Sequence, residues 1–409
     1  MLNLVWTGLF LTAFITGLIQ FFFLGDGEVF SRMIASLFSM AKTAFEISLG
    51  LTGILALWLG ILRIGEQAGL VTLLTRGLTP LFKRLLPDVP SDHPALGAIT
   101  MNMAANALGL DNAATPLGIQ AMRSLQSLNP HPQALSNAQI LFLVINTSAV
   151  TLIPVTVFTY RAQLGAANPT DVFLPILLAT YCSTLAGLLA VMMAQKIRWW
   201  DPVIVAYFLG FSGIILGMAL WLSHLDQDTM QKQSTLIGHS LLLGIIALFL
   251  IAALWKNVNA YEAFIEGAKE GFQTAVTIIP YLVAMLAAIG LLRASGAMDL
   301  VTHGLRDMLL SHSLDARFVD TLPTALMKPF SGSGARAMMI DAMRTHGPDS
   351  LPGRIASIMQ GSTETTFYVL SVYCGAVGIK NVRHALACSL LADVAGLTAA
   401  VLIGYWFFG

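Results

Sequence analysis

Charge is scarce in this 409-residue chain: Asp, Glu, Lys and Arg make up 11% of it, and 22 basic residues balance 22 acidic ones. Zero net charge argues against a nucleic-acid partner. Cysteine is scarcer still. Cys182, Cys374 and Cys388 all lie in or beside apolar runs, which leaves no disulfide framework or cysteine metal site. The eight histidines show no metal-ligand spacing. Short alternating segments of the kind that build a membrane β-barrel are not sustained anywhere. The N-terminus (MLNLVWTGLF) lacks a basic n-region and a small-residue cleavage site, so it is expected as a retained first span rather than a removed signal peptide.

What the chain has is apolar length, with 56% hydrophobic residues. About 20 apolar residues cross a bilayer as a helix. Segments that qualify are Leu2–Leu24, Thr43–Leu62, Gln139–Tyr160, Val172–Gln195, Pro202–Ser223, Thr235–Trp255, Thr274–Leu292, Ile355–Val377 and His384–Phe408. Helices satisfy their own backbone groups in lipid. The expected fold is therefore an all-α integral membrane protein with about nine transmembrane helices.

The sequence also repeats itself. ILRIGEQAGLVT (Ile61–Thr72) aligns with LLRASGAMDLVT (Leu291–Thr302), AATPLGIQAM (Ala113–Met122) with GARAMMIDAM (Gly334–Met343), and STLAGLLAV (Ser183–Val191) with ADVAGLTAA (Ala392–Ala400). Each copy starts with a span and continues into an amphipathic stretch. In the first copy Leu70, Leu74, Leu78, Leu81 and Leu85 share one face, as in a helix lying in the interface. In the second, Met298–Leu310, the apolar set is Leu300, Val301, Leu305, Met308 and Leu309. A segment with a polar middle follows, then two more spans. If that segment is a re-entrant hairpin, an odd number of spans separates the copies and they are inverted, a recurring transporter plan. The domain expectation is 1–42, first span and interfacial segment; 43–200, first repeat; 201–260, two linking spans; and 261–409, second repeat. Lys/Arg counts barely separate the two sides, with a faint preference for a cytoplasmic N-terminus.

Three elements carry candidate chemistry. MNMAANALGLDNAATPLG (Met101–Gly118) clusters Asn102, Asn106, Asp111, Asn112 and Thr115 around an expected break at Gly109–Thr115, with Thr115 as N-cap and Pro116 opening the return helix. A surface loop with Asn and Thr joining helices is the alternative. MKPFSGSGARAMMIDAM (Met327–Met343) offers Ser331, Ser333, Lys328 and Arg336 beside helix-breaking Pro329, Gly332 and Gly334. Gly-rich turns at helix N-termini suit anions, although a solvated turn has the same composition. Within spans, INTSAVTLIP (Ile145–Pro154) holds Asn146, Thr147 and Ser148. Its counterpart MQGSTETTF (Met359–Phe367) holds Gln360, Ser362, Thr363, Glu364, Thr365 and Thr366. A mid-span carboxylate costs on the order of 2–3 kcal/mol, so Glu364 carries protons or ions, belongs to an ion pair with Arg336 or Lys328, or is kept neutral by burial. Asp393, in the last span, is a weaker candidate of the same kind. GFSG (Gly210–Gly213) with His239 is similar to the dyad of rhomboid intramembrane proteases. Gly210, Gly213 and Gly217 more simply allow close helix packing, and no enzyme is expected.

NMAANALGLDNAATPLG resembles the hallmark of bacterial spore maturation protein A. SGSGA (Ser331–Ala335) with GSTETTFYV (Gly361–Val369) resembles spore maturation protein B. Both are joined here in one chain, and both families belong to the nucleoside-recognition or Gate family, also found in concentrative nucleoside transporters. The resemblance implies that each half holds a span, an interfacial helix, a re-entrant hairpin and two further helices, the first partly unwound. It sets the hairpins at Pro94–Leu125 and Thr321–Thr345 and the unwound stretches at Asn146–Ser148 and Ser362–Thr366. The expectation is a secondary transporter in the bacterial inner membrane, moving a small polar solute, nucleoside-like or anionic. No cofactor is expected beyond a coupling Na+ or H+. Membrane lipid and a small solute are the expected partners, with homo-oligomerisation left open. The alternative is a non-transporting component of an envelope complex.

Overall fold

The structure, a computed structural model, describes residues 2–108, 111–148, 151–197, 200–312 and 315–409, with the side chains of residues 2 and 111–113 outside that description. Among the described residues there are helices and no strand. The chain opens with α1 (Leu2–Phe23). Then come α2 (Val29–Gln67), α3 (Leu70–Leu85), the hairpin α4 (Pro94–Ala107) and α5 (Asp111–Gln126), the pair α6 (Asn137–Ser148) and α7 (Val155–Gln163), and α8 (Phe173–Gln195). After α9 (Pro202–Ser223) and α10 (Gln227–Trp255) the same order returns. It runs α11 (Ala260–Ala294), α12 (Ala297–Ser311), the hairpin α13 (Leu322–Met327) and α14 (Gly332–His346), the pair α15 (Leu351–Ser362) and α16 (Thr366–Gly375), and α17 (Ala385–Phe408).

Among the described residues seven helices, α1, α2, α8, α9, α10, α11 and α17, are long and apolar enough to cross a membrane. The other two expected spans are each split into two short helices, α6–α7 and α15–α16. The polar runs and Pro154 lie at the splits, where a continuous ladder would have to carry a residue without an N–H. The outer surface is apolar: Phe14, Ile19 and Phe22 on α1 and Leu209, Phe211 and Ile214 on α9 are all exposed. An apolar belt of this extent marks a lipid-facing surface. The chain is a multi-pass, all-α membrane protein.

Each long helix hands over to an amphipathic one through a glycine in the left-handed region, Gly69 at φ 84° and Gly296 at φ 72°. The leucine face of α3 turns inward: Leu70, Leu74, Leu78 and Leu81 are partly buried and Leu85 is buried. The second amphipathic helix differs. Leu300, Val301 and Met308 of α12 are exposed, while Ala297, Met298 and Thr302 form its buried side.

Counterpart helices run antiparallel. In the α2–α11 pair, Gly271 lies against Ala56, where an added Cβ would come 2.6 Å from the Ala56 Cα, and Gly290 lies against Met40. Gly267 sits on the Leu59 carbonyl, and Arg63 bonds Glu266 at 3.1 Å. The spacing Gly267-x-x-x-Gly271 gives α11 a flat face that lets the two backbones approach. The glycines expected to do this, Gly210, Gly213 and Gly217, face open space instead. They lie on lipid-facing α9, which has no helix against that side. Antiparallel contact also joins α8 to α17, with Gly187 against Ala392, Ser183 against Gly396, and Gln195 against His384.

One buried ionic cluster crosses between the two halves. Arg161, 0% exposed at the end of α7, bonds Asp171 at 2.8 Å and Asp349 at 3.0 Å and donates to the Pro348 carbonyl at 2.6 Å. Asp171, 2% exposed, also takes a bond from Arg354 at 2.9 Å. Arg161 directly follows the expected span Gln139–Tyr160, a position that suggests a loop arginine. The packed α14–α15 turn makes it a buried one.

Arg161→Met should leave Asp171 as a buried charge short of a partner, and losing one member of such a pair costs on the order of 3–5 kcal/mol. Thermal unfolding of the purified protein measures this. Arg161→Lys should not restore stability, because an ammonium lacks the planar fork that reaches several acceptors at once.

Candidate functional site

Breaking a helix inside a membrane frees backbone groups that lipid cannot satisfy. Here other parts of the chain satisfy them. The Leu152 N–H, in the α6–α7 break, donates to the Ala107 carbonyl at the end of α4 at 3.0 Å. In the second half the Phe367 N–H donates to the Pro329 carbonyl, between α13 and α14, at 2.9 Å. Each hairpin is thus tied to the broken helix of its own half. The two breaks are tied to each other as well: the Glu364 N–H donates to the Thr147 carbonyl at 2.9 Å. Thr363 adopts extended backbone (φ −142°, ψ 167°), which ends α15 and turns Glu364 away from the helix axis.

These ties enclose a cavity of about 730 Å³, within the size range of small-molecule sites. Its wall includes Asn106, Thr115 and Asn146 from the first half and Ser331, Ser333 and Arg336 from the second hairpin. Gln360, Thr363, Glu364 and Thr365 come from the second break. The residues that the sequence picks out on the order of 200 positions apart therefore meet. Asn106 donates to the Asn146 Oδ1 at 2.9 Å, and Asn146 donates back to the Phe142 carbonyl at 2.9 Å. Ser331 caps α14 by accepting from the Gly334 N–H at 3.0 Å. Glu364 is exposed to the cavity. Lys328 is instead buried and donates to the Gln360 carbonyl at 2.7 Å.

Other candidates point elsewhere. Asn102 holds the first hairpin together, donating to the Ala114 carbonyl at 2.7 Å. Thr147 bonds the Val144 carbonyl and the Ser389 hydroxyl, both at 2.9 Å. Ser148 and Ser362 bond back to the Ile145 and Met359 carbonyls at 3.1 and 3.0 Å. These four are buried against protein and do not line the cavity. A hydroxyl one turn before a helix break has an open carbonyl three residues back, and it takes that local bond first. The side chains of Asp111 and Asn112 lie outside the described residues. The return helix begins at Asp111, so Pro116 lies inside it rather than at its first position. The Ser212 hydroxyl bonds Tyr181, and among the described residues nothing joins it to His239.

Aromatic walls are what the sequence does not disclose. Phe330 stacks on Phe367 with centroids 5.1 Å apart. Tyr373 of α16 reaches the other half's hairpin, where its hydroxyl fills the space beside Gly118. On the opposite side Tyr160 of α7 sits under Arg336 of the other hairpin, 5.6 Å from guanidinium carbon to ring centroid. A tyrosine from each broken helix thus grips the partner half's hairpin. No local pattern signals either contact. Thr151 and Thr156 also line the cavity, and the polar period of their stretch was the available clue.

A family model described as "Gate: Nucleoside recognition" matches residues 48–164 and 275–380. The matched stretches hold both hairpins and both breaks. Spore maturation protein B of Bacillus subtilis (strain 168) is 48% identical over 165 residues, which is 40% of this chain and 91% of that protein. Spore maturation protein A of the same organism is 40% identical over 189 residues, 46% of this chain and 93% of that protein. Each relative is thus similar to less than half of this chain.

Gly396 is the point where α17 meets the second break: an added Cβ would lie 2.7 Å from Thr363 Cγ2 and 2.8 Å from Ser183 Cβ. Gly396→Val should cost about 1–3 kcal/mol by overpacking. Gly213→Ala, with nothing within 4 Å, should stay within about 0.5 kcal/mol of the parent. Melting temperatures of the two variants make the comparison.

Proposed function

Because the chain belongs to the Gate nucleoside-recognition family, we propose that it is a secondary transporter for a small polar solute, with its site between two hairpins and two broken helices. One observation carries this reading: the polar cavity of about 730 Å³ whose wall is drawn from both halves of the chain. The antiparallel pairing of counterpart helices supports inverted repeats, and rocking one such repeat against the other gives alternating access. In that arrangement Asn106, Thr115, Ser333 and Gln360 hydrogen-bond the solute, and Arg336 favours an anionic group on it. Glu364 meets a cationic or donor group, or a coupling ion. The bacterial inner membrane, with a cytoplasmic N-terminus, is the proposed location.

A second reading has its own support. Asn102, Thr147, Ser148 and Ser362 spend their hydrogen bonds inside the protein, as polar groups do when they only hold helices together. The relatives are named for spore maturation, not for transport. On this reading the protein is a non-transporting component of a membrane complex.

Thiol labelling separates the two. In a Cys182→Ser background, Ser333→Cys should react with a membrane-impermeant maleimide from one side only. A bound solute should slow the reaction. No reaction from either side, with the protein folded, favours the structural reading. A thermal-shift screen against nucleosides, nucleobases and dicarboxylates identifies the solute, since a ligand at 100 times its Kd stabilises by about 2.7 kcal/mol. With that solute, Glu364→Gln should abolish coupled uptake into proteoliposomes. Uptake at the parental rate would remove Glu364 from the coupling role.

A further inference from the structure

The deepest acid among the described residues is not on the cavity wall. Asp393 is 1% exposed, on the inner side of α17, an otherwise uncharged 24-residue span. Its Oδ2 accepts from the Thr366 hydroxyl at 2.7 Å. Its Oδ1 is buried without a hydrogen-bond partner. A carboxylate in that state is poorly served, because each oxygen of the ionised form can accept two bonds. Two further side-chain oxygens at the same break are also buried and unpartnered: Thr363 Oγ1 and Gln360 Oε1. The methyl of Thr363 packs against Gly396, one turn along α17 from Asp393. The charged groups that act on the carboxyl are Lys328, from the segment between α13 and α14, and Glu364, from the break. Ser183 of α8 and Thr147 of α6 bring hydroxyls to the same helix, not charges.

We propose that Asp393 is a proton-binding site, and that its protonation sets the conformation of the α15–α16 break and so the access to the cavity. The proposal rests on the transport reading and gives it a coupling ion. The chemistry is a single step: a proton from water adds to Oδ1, and the carboxylate becomes a neutral acid. The neutral acid adds a donor at a break where the Gln360 Oε1, which can only accept, and the Thr363 hydroxyl, which can do either, stand unpartnered, so the new O–H can serve an oxygen of the break. Loss of the proton withdraws that donor. Thr366 is the first residue of α16, so the change is delivered to the helix start that follows the break. A bound Na+ would need several oxygens around it, and the Gln360 carbonyl is already taken by the Lys328 ammonium; a proton needs only Oδ1.

The test uses the full chain in nanodiscs. Infrared difference spectra between neutral and acid pH should show a protonated-carboxyl band that vanishes in Asp393→Asn and survives in Glu364→Gln. Thr366→Val should shift the band, because it removes the hydrogen bond to Oδ2; this also covers the case in which Asp393→Asn does not fold. Replacing sodium by potassium should leave the band unchanged. Maleimide labelling of Ser333→Cys, normalised to an exposed Gln227→Cys control, should vary with pH and lose that dependence in the Asp393→Asn background. A band that persists in Asp393→Asn, or one abolished by sodium alone, overturns the proposal. pH-dependent labelling that survives in Asp393→Asn overturns the link to access. If Ser333→Cys never reacts in any background while the band follows Asp393, the transport reading fails and the proton site stands.

Discussion

A peptide N–H freed inside a membrane must find an acceptor within the protein, and this requirement shapes the centre of the molecule. Two spans are broken, and both breaks send an N–H to the nearest hairpin, Leu152 to Ala107 and Phe367 to Pro329. A third bond, Glu364 to Thr147, joins the breaks. Without the hairpins the breaks could not exist in lipid. The cavity is the space left between these parts. Its polar lining follows from residues that already sit at interrupted helix ends.

The surrounding helices hold that arrangement in place. The α2–α11 crossing is close because Gly267 and Gly271 present no side chain to α2. The α8–α17 pair packs small residues against each other around Ser183, Gly187, Ala392 and Gly396. At one end of the bundle the Arg161 cluster clamps the α7–α8 connection to the α14–α15 turn. A charge network so deeply buried is specific more than it is stabilising, since its attraction is largely offset by desolvation. Its consequence is that the two halves share one register.

The hairpins are chemically unlike. The first offers the carboxamide of Asn106 and the hydroxyl of Thr115, the second two serine hydroxyls and the guanidinium of Arg336. Each is gripped by a tyrosine from the other half, Tyr373 at Gly118 and Tyr160 at Arg336. On the proposed transport reading, a site with like geometry and unlike chemistry on its two sides would orient an asymmetric solute.

Much of this was legible in the sequence. Hydropathy marked the spans, because lipid tolerates few charges. The internal repeat marked which segments correspond. The polar residues at mid-span marked both breaks, because a side chain such as Glu364 is too costly to face lipid. The extent of a polar stretch, though, says nothing about the direction in which each side chain points. Thr147 and Thr363 are counterparts in sequence, yet one bonds Ser389 and the other lines the cavity with its hydroxyl unpartnered. Arg161 looked like a loop charge and is wholly buried. Composition and periodicity alone determined that the chain is a helical membrane protein, since that property is set by transfer energies summed along a segment. Which residues meet across the halves, and which oxygens are left without partners, was decided only in three dimensions, since a hydrogen bond depends on ångström-scale contacts between segments that are remote along the chain.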